Sequence, residues 1–231
     1  MTCTIRWKLN HLLPISRPRR STHRRGLFTA INVGLSYGKG QPELSMLNID
    51  PTYANFITRL VLLPSVQRIA GFASASFRLW SPQLFAYYQD HLSRLHERLG
   101  TSRLFPLSIF PCAAFNFGGN VWTFKHEDVL NYPFGWCAIT ALGRFDSTAG
   151  AHLVLWELQM IIEFPHTATV FILSATITHS NIAPATGDQR LSFTQFCAEG
   201  LLCWVDNGFR MNAGGQTFPM ETGARIVLSR S

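Results

Sequence analysis

Several large protein classes are excluded by what this chain does not contain. Its five cysteines (Cys3, Cys112, Cys137, Cys197 and Cys203) are an odd number, with no C-x-x-C pair among them. Neither a disulfide framework nor a cysteine-built zinc site follows from that spacing, and a reducing compartment is the natural expectation. There is no G-x-x-x-x-G-K-[ST] phosphate loop and no zinc-deaminase pattern. The longest apolar stretch, running from Ile161 to Ile177, is interrupted by Glu163, Pro165 and His166. No run reaches the roughly 20 residues that a membrane span needs, so no membrane partner is expected. No internal repeat is visible.

Acidic residues are missing from the first 42 positions, which hold eight basic ones: Arg6, Lys8, Arg17, Arg19, Arg20, Arg24, Arg25 and Lys39. The other 12 basic residues face all 13 acidic ones, so the net charge of +7 belongs to an arm and not to the body. The run RPRRSTHRR over Arg17–Arg25 fits a nuclear-import or phosphate-binding segment, and equally a solvated leader. Rich in Arg and Ser and free of acids, it also fits a mitochondrial presequence. A nuclear location is carried forward as the expectation.

What remains is a composition with 47% hydrophobic and 13% aromatic residues, which belongs to a globular chain with a large core. A length of 231 residues suits one domain with extensions. The basic arm is expected over 1–26, the domain over 27–210 and a loop-like tail, punctuated by Gly214, Gly215, Pro219 and Gly223, over 211–231. From Pro51 to Leu99 apolar residues recur at helical spacing, and Pro64 and Pro82 are placed to open new helices. Three helices are predicted, the last ended by Gly100.

After Gly100 the texture changes to short runs of Phe, Val, Ile, Thr and Trp between Gly, Pro, Asn and Asp turns. Strands are predicted at Leu107–Phe117, Val121–His126, Phe134–Arg144, His152–Leu158, Met160–Phe164, Thr169–Leu173, Thr176–Ser180 and Arg190–Ala198. Eight short strands following a helical segment predict a mainly β fold: an antiparallel double sheet over about 105–198, covered on one side by the helical layer 51–99.

The triplet His126-Glu127-Asp128 carries the first chemistry. Residues two apart on extended chain share a face, so His126 and Asp128 can reach one metal while Glu127 turns away. His179 supplies a second imidazole. Two histidines and one carboxylate leave the opposite face of a metal open, which suits iron(II) that must bind a cosubstrate and dioxygen together. Arg190 and Ser192, also two apart, form the second element. A guanidinium fork grips a carboxylate and the hydroxyl adds one bond, as a dicarboxylate cosubstrate chelating iron at its other end requires. The order H-x-D, strands, His, turn, Arg-x-Ser is that of a double-stranded β-helix oxygenase.

The stretch Phe115–Arg210, including FNFGGNVWTFKHEDVLNYPFGWCAITALGRFD, HLVLWEL, ATITHSN and QRLSFTQFC…WVDNGFR, resembles the fungal branch of the ten-eleven translocation and base-J-binding (TET/JBP) dioxygenases. These are expanded, often transposon-associated proteins of mushroom-forming fungi. LSYGKGQPE and the helical Ala70–Leu95 region extend the resemblance to about 27–210. It implies a jelly-roll (cupin-like) core that binds Fe(II) and 2-oxoglutarate and oxidises the methyl group of 5-methylcytosine or thymine in DNA. On the matching positions His126, Asp128 and His179 are the iron ligands, and Arg190 and Ser192 hold the far carboxylate of 2-oxoglutarate. Asn131 contacts a flipped-out base, whose Watson–Crick edge an amide can read. Asn116 is placed against 2-oxoglutarate, as in alkylation-repair oxygenases of similar architecture. The partner implied is DNA containing methylated cytosine; the oligomeric state does not follow.

Three departures stand out. Glu127 replaces the arginine of H-R-D, Ala151 stands where a second glycine is expected beside Gly150, and the leader does not resemble the family. The alternatives are an oxygenase of the same fold acting on RNA or another methylated substrate, and a catalytically inactive, transposon-derived remnant that binds nucleic acid.

Overall fold

Three prolines set the helical layer. Pro51, Pro64 and Pro82 each sit in the first turn of a helix, where a missing N–H is no loss. They open α1 (Pro51–Val61), α2 (Pro64–Trp80) and α3 (Pro82–Leu99), as the periodicity predicts. Asp50 caps α1, its carboxylate accepting from the Thr52 N–H at 2.8 Å. Gly100 ends α3 in the left-handed conformation, at φ 61°. This computed structural model describes residues 22–23, 25–37 and 44–210. Most of the basic arm and the whole of the expected tail lie outside them.

A hairpin of β1 (Thr22–His23) and β2 (Gly26–Leu27) leads into β3 (Thr29–Ser36) and β4 (Ser45–Met46). The strands after the helices are β5 (Cys112–Phe117), β6 (Cys137–Arg144), β7 (Leu153–Leu155), β8 (Met160–Ile162), β9 (Thr169–Ile172), β10 (His179–Asn181) and β11 (Gln189–Phe196), followed by α4 (Glu199–Asp206). They form an antiparallel six-stranded sheet in the order β4-β3-β5-β11-β6-β9 and a three-stranded sheet in the order β10-β7-β8. The expected double sheet with a helical cover is what the chain builds.

Period-two alternation on β5 and β11 divides labour between the two faces. Ala113, Phe115, Phe117 and Phe193 pack beneath α1 and α2 against Phe56, Ile57, Leu60, Val66 and Ala70. Phe115 and Phe193 stack with centroids 4.9 Å apart, and each buried ring contributes about 1.5–3 kcal/mol of transfer free energy. The other parity, Asn116, Arg190, Ser192 and Thr194, points into a cleft toward the small sheet. Cys137, Ala141, Leu153, Leu155, Phe164 and Ile172 close the space between the sheets beside that cleft.

Several boundaries differ from the sequence expectation. Val121–His126 forms no strand: Val121 donates to the Arg190 carbonyl, Phe124 to Arg25 and His126 to His179. An extended chain that hydrogen-bonds three different segments in turn makes no ladder. The predicted strand from Leu107 begins only at Cys112, and that from Thr176 only at His179. Five elements, β1 to β4 and α4, were not anticipated. Ala151 takes φ 62°, which explains why glycine is the expected residue there.

Candidate functional site

The H-x-D segment and β10 meet as a two-residue bridge. His126 donates its N–H to the His179 carbonyl at 3.0 Å, and His179 returns the bond to His126 at 2.9 Å. Residues so paired present their side chains on the same side, and the imidazole centroids lie 4.3 Å apart. Each ring is oriented by its own backbone. The Nδ1–H of His126 donates to the Phe124 carbonyl at 2.7 Å and that of His179 to the Ile177 carbonyl at 2.9 Å. In both rings this leaves Nε2 as the free ligand atom, the arrangement usual around protein-bound metals.

Asp128 completes the cluster. Its N–H donates to the Ser174 carbonyl at 2.8 Å, which fixes the residue beyond the bridge. Its Oδ1 lies 3.8 Å from Nε2 of His126 and its Oδ2 3.9 Å from Nε2 of His179. One ligand atom from each of the three residues lies within 4.8 Å of the others. Burial, with the facing His179, holds the His126 imidazole below its ordinary range, so it stays in the neutral form that ligates metal. Two imidazoles and a carboxylate with open positions are the donor set of non-haem iron(II) sites, and these residues fit that ion.

The same cleft is lined by Arg190, Ser192, Asn116 and Thr194 as well as by the triad. Arg190 is 1% exposed. Its Nη1 donates to the Val121 carbonyl at 2.7 Å, and Phe145 and Phe164 flank the guanidinium at 5.9 and 5.7 Å. Its Nε and Nη2 have no hydrogen-bond partner among the described residues. Burial lowers its pKa to about 10, which leaves the group charged at neutral pH. A buried cation with idle donors is costly unless an anion meets it. A carboxylate from a small dicarboxylate fits that need. Asn116 lies opposite Ser192 in the β5–β11 register, and its amide donates to the Ser192 hydroxyl at 2.9 Å. Its Oδ1 is buried and unpartnered among the described residues.

The remaining expected residues stand apart from the cleft. Asn131 follows a turn in which its N–H donates to the Asp128 carbonyl at 2.8 Å. Its amide donates to the Ser174 hydroxyl at 2.9 Å, and it does not line the cleft. Glu127 turns away from the triad and accepts from the Thr178 hydroxyl at 2.7 Å. That hydroxyl also contacts Glu157, and these bonds hold the exposed Glu157 carboxyl below its usual range. Phe196 packs against the apolar clusters. His91, His96, His152 and His166 contribute nothing to the triad.

Arg25 was not anticipated as a site residue. It lines the cleft and its Nη1 reaches Oδ1 of Asp128 at 3.3 Å. Within a basic run it looks like solvated charge; the only signal for it was its place next to Gly26-Leu27-Phe28, where apolar sequence begins. Phe28, Ile139 and Leu153 supply the apolar wall.

No family model and no curated protein matches the sequence. Among solved structures the chain is similar to NgTET1, solved in complex with 5mC DNA: TM-score 0.58 at 14% identity, covering 80% of this chain and 64% of that one. The chain thus spans somewhat under two thirds of that structure's length. The likeness shows the fold, a jelly-roll double-stranded β-helix with helices on one face. Looser matches are an oxidoreductase of the 2OG-Fe(II) oxygenase family from Burkholderia pseudomallei, TM-score 0.40 at 15% identity over 84% of this chain and 78% of that one, and the viral collagen prolyl hydroxylase of Paramecium Bursaria Chlorella virus-1, TM-score 0.31 at 10% identity over 38% and 59%.

Proposed function

We propose that the chain is an Fe(II)- and 2-oxoglutarate-dependent oxygenase that oxidises the methyl group of 5-methylcytosine, or thymine, in nuclear DNA. The observation that carries the reading is one cleft holding both His126, Asp128 and His179 and the buried, under-bonded guanidinium of Arg190. Metal and cosubstrate together supply the oxidising power: dioxygen is divided between the product alcohol and the succinate that forms as 2-oxoglutarate loses carbon dioxide.

The protein's own residues do the rest. His126, Asp128 and His179 would hold the iron. Arg190 and Ser192 would hold the distal carboxylate of 2-oxoglutarate, with Asn116 steadying Ser192 through their 2.9 Å bond. Phe28, Ile139 and Leu153 would give the cleft an apolar wall against the substrate. The DNA substrate is supported by the resemblance of Phe115–Arg210 to the TET/JBP dioxygenases and by the solved NgTET1 complex, whose DNA carries 5mC. The Asn131 amide, held against Ser174 in this structure, would turn from that hydroxyl to a flipped base.

The test is anaerobic loading with Fe(II) and 2-oxoglutarate, then exposure to air with methylated duplex DNA and mass spectrometry of the nucleosides. Hydroxymethylcytosine is expected from the parent, and none from His126→Ala, Asp128→Ala or His179→Ala. Each of these should also lose the visible charge-transfer band of the iron-bound cosubstrate. Turnover and band unchanged in any one of the three would sink the triad assignment. Asn131→Ala should cut methyl oxidation roughly tenfold to a hundredfold, for a loss of about 1–3 kcal/mol. Succinate formed without DNA should persist in that variant. A parallel fall in both would leave Asn131 as a turn residue only.

A further inference from the structure

The arm, which otherwise looks like solvated charge, ends inside the metal cluster. Arg25 lies on the β1–β2 turn, and its position is built. Its carbonyl accepts from the Phe124 N–H at 2.8 Å, two residues before His126. The adjoining Gly26 packs so tightly that an added Cβ would come within 2.7 Å of the Trp122 carbonyl oxygen. The hairpin is therefore fastened to the segment that delivers the H-x-D triplet. From there the Arg25 guanidinium meets Oδ1 of Asp128 at 3.3 Å, with the two side chains 29% and 14% exposed.

We propose that Arg25 is a positioning residue that makes Asp128 a one-oxygen ligand; this rests on the iron reading above. With Oδ1 engaged by the guanidinium, Oδ2 is the oxygen left for the metal, on the side of His179. The distinction matters chemically. A six-coordinate ion held by three protein atoms has three positions left, two for a chelating 2-oxo acid and one for dioxygen. A carboxylate that bound through both oxygens would take one of those three. Outer partners that fix a ligand's orientation commonly control metal sites in this way.

The experiment uses Co(II) alone as the probe, bound anaerobically to the full chain, with visible spectra recorded before and after addition of 2-oxoglutarate. Arg25→Met keeps an apolar stem of similar length and loses the charge; Arg25→Lys keeps the charge. The methionine variant should show an altered Co(II) band envelope before any cosubstrate is added. It should hold Co(II) about 10- to 100-fold more weakly, the usual cost of losing an outer partner of a metal ligand, and its spectrum should respond less to 2-oxoglutarate. Arg25→Lys should lie between it and the parent. A Co(II) spectrum of Arg25→Met that superimposes on the parent's overturns the assignment, even if the melting temperature falls, because a purely structural anchor leaves the coordination sphere alone. Failure of the parent to bind Co(II) in a manner abolished by His179→Ala would overturn the iron reading itself, and this assignment with it.

Discussion

At the scale of single residues the cleft is organised around unmet demands. Arg190 is the clearest: a guanidinium 1% exposed with two of its nitrogens unpartnered among the described residues, flanked by two phenyl rings. Such a group lowers the stability of the ligand-free fold and finds its return when an anion arrives. Two outcomes follow for substitutions at this position. Arg190→Lys retains a cation but loses the planar fork, and the 2-oxoglutarate requirement should rise roughly tenfold to a hundredfold, for a loss of about 1.5–3 kcal/mol. Arg190→Met removes the unsatisfied charge while filling much of the same space. Without ligand its urea midpoint should match or exceed the parent's, and added 2-oxoglutarate should no longer raise it. A methionine variant that loses several kcal/mol in the absence of ligand would mean that Arg190 is a structural cation whose partner is the Val121 carbonyl.

At the scale of elements the cleft depends on register. Arg190 on β11 faces Gly143 on β6, where φ is +115° and an added Cβ would come within 2.1 Å of the Gln189 carbonyl oxygen. Gly143→Ala therefore has to push β11 away at the residue beside Arg190. It should lower the melting temperature by roughly 4–8 °C, for about 2 kcal/mol, and weaken 2-oxoglutarate binding beyond what the lost stability explains. Native-like 2-oxoglutarate affinity in that variant would show that the clamp tolerates a displaced strand. Elements were unevenly legible in the sequence, for physical reasons. The three helices could be read because proline and glycine mark their ends and their apolar stripe is regular. β3 could not, because Gly34 within it and the basic run before it look like a linker; yet its Ile31 and Val33 are core residues. α4 was hidden because Leu201, Leu202, Trp204 and Val205 continue the apolar texture of β11, and Gly200 weakens the helical signal. His126 with Asp128, and Arg190 with Ser192, could be paired in the sequence because residues two apart share a face, whereas His179 had only its order along the chain to place it. Arg25 was not legible, since it reaches Asp128 across the fold and no local spacing encodes that contact.

At the scale of the whole molecule, charge and chemistry sit at different ends of the chain. The body is nearly neutral, while Arg6, Lys8, Arg17, Arg19 and Arg20 precede the first described strand. Residues that line the cleft begin with Arg25. A nucleic-acid substrate must be held by something, and cations that neutralise phosphates release counterions, so the affinity falls with salt at about −0.9 in log–log slope per phosphate for duplex DNA. Removing residues 1–21 takes away those five cations and spares the hairpin. If the arm is the electrostatic holdfast, duplex affinity at low salt should drop and the slope should become shallower by up to about 4.5. The charge-transfer band of the iron-bound cosubstrate and the slow formation of succinate without DNA should be unchanged, because Arg25 and everything after it remain. Salt-dependent fluorescence anisotropy with methylated and unmethylated duplexes, run beside the band, separates the two. An unaltered slope would remove DNA holding from the arm and leave a nearly neutral body to bind its substrate by shape and by the flipped base alone. Loss of the band on truncation would instead tie the arm to the metal site, through the same hairpin that carries Arg25 to Asp128.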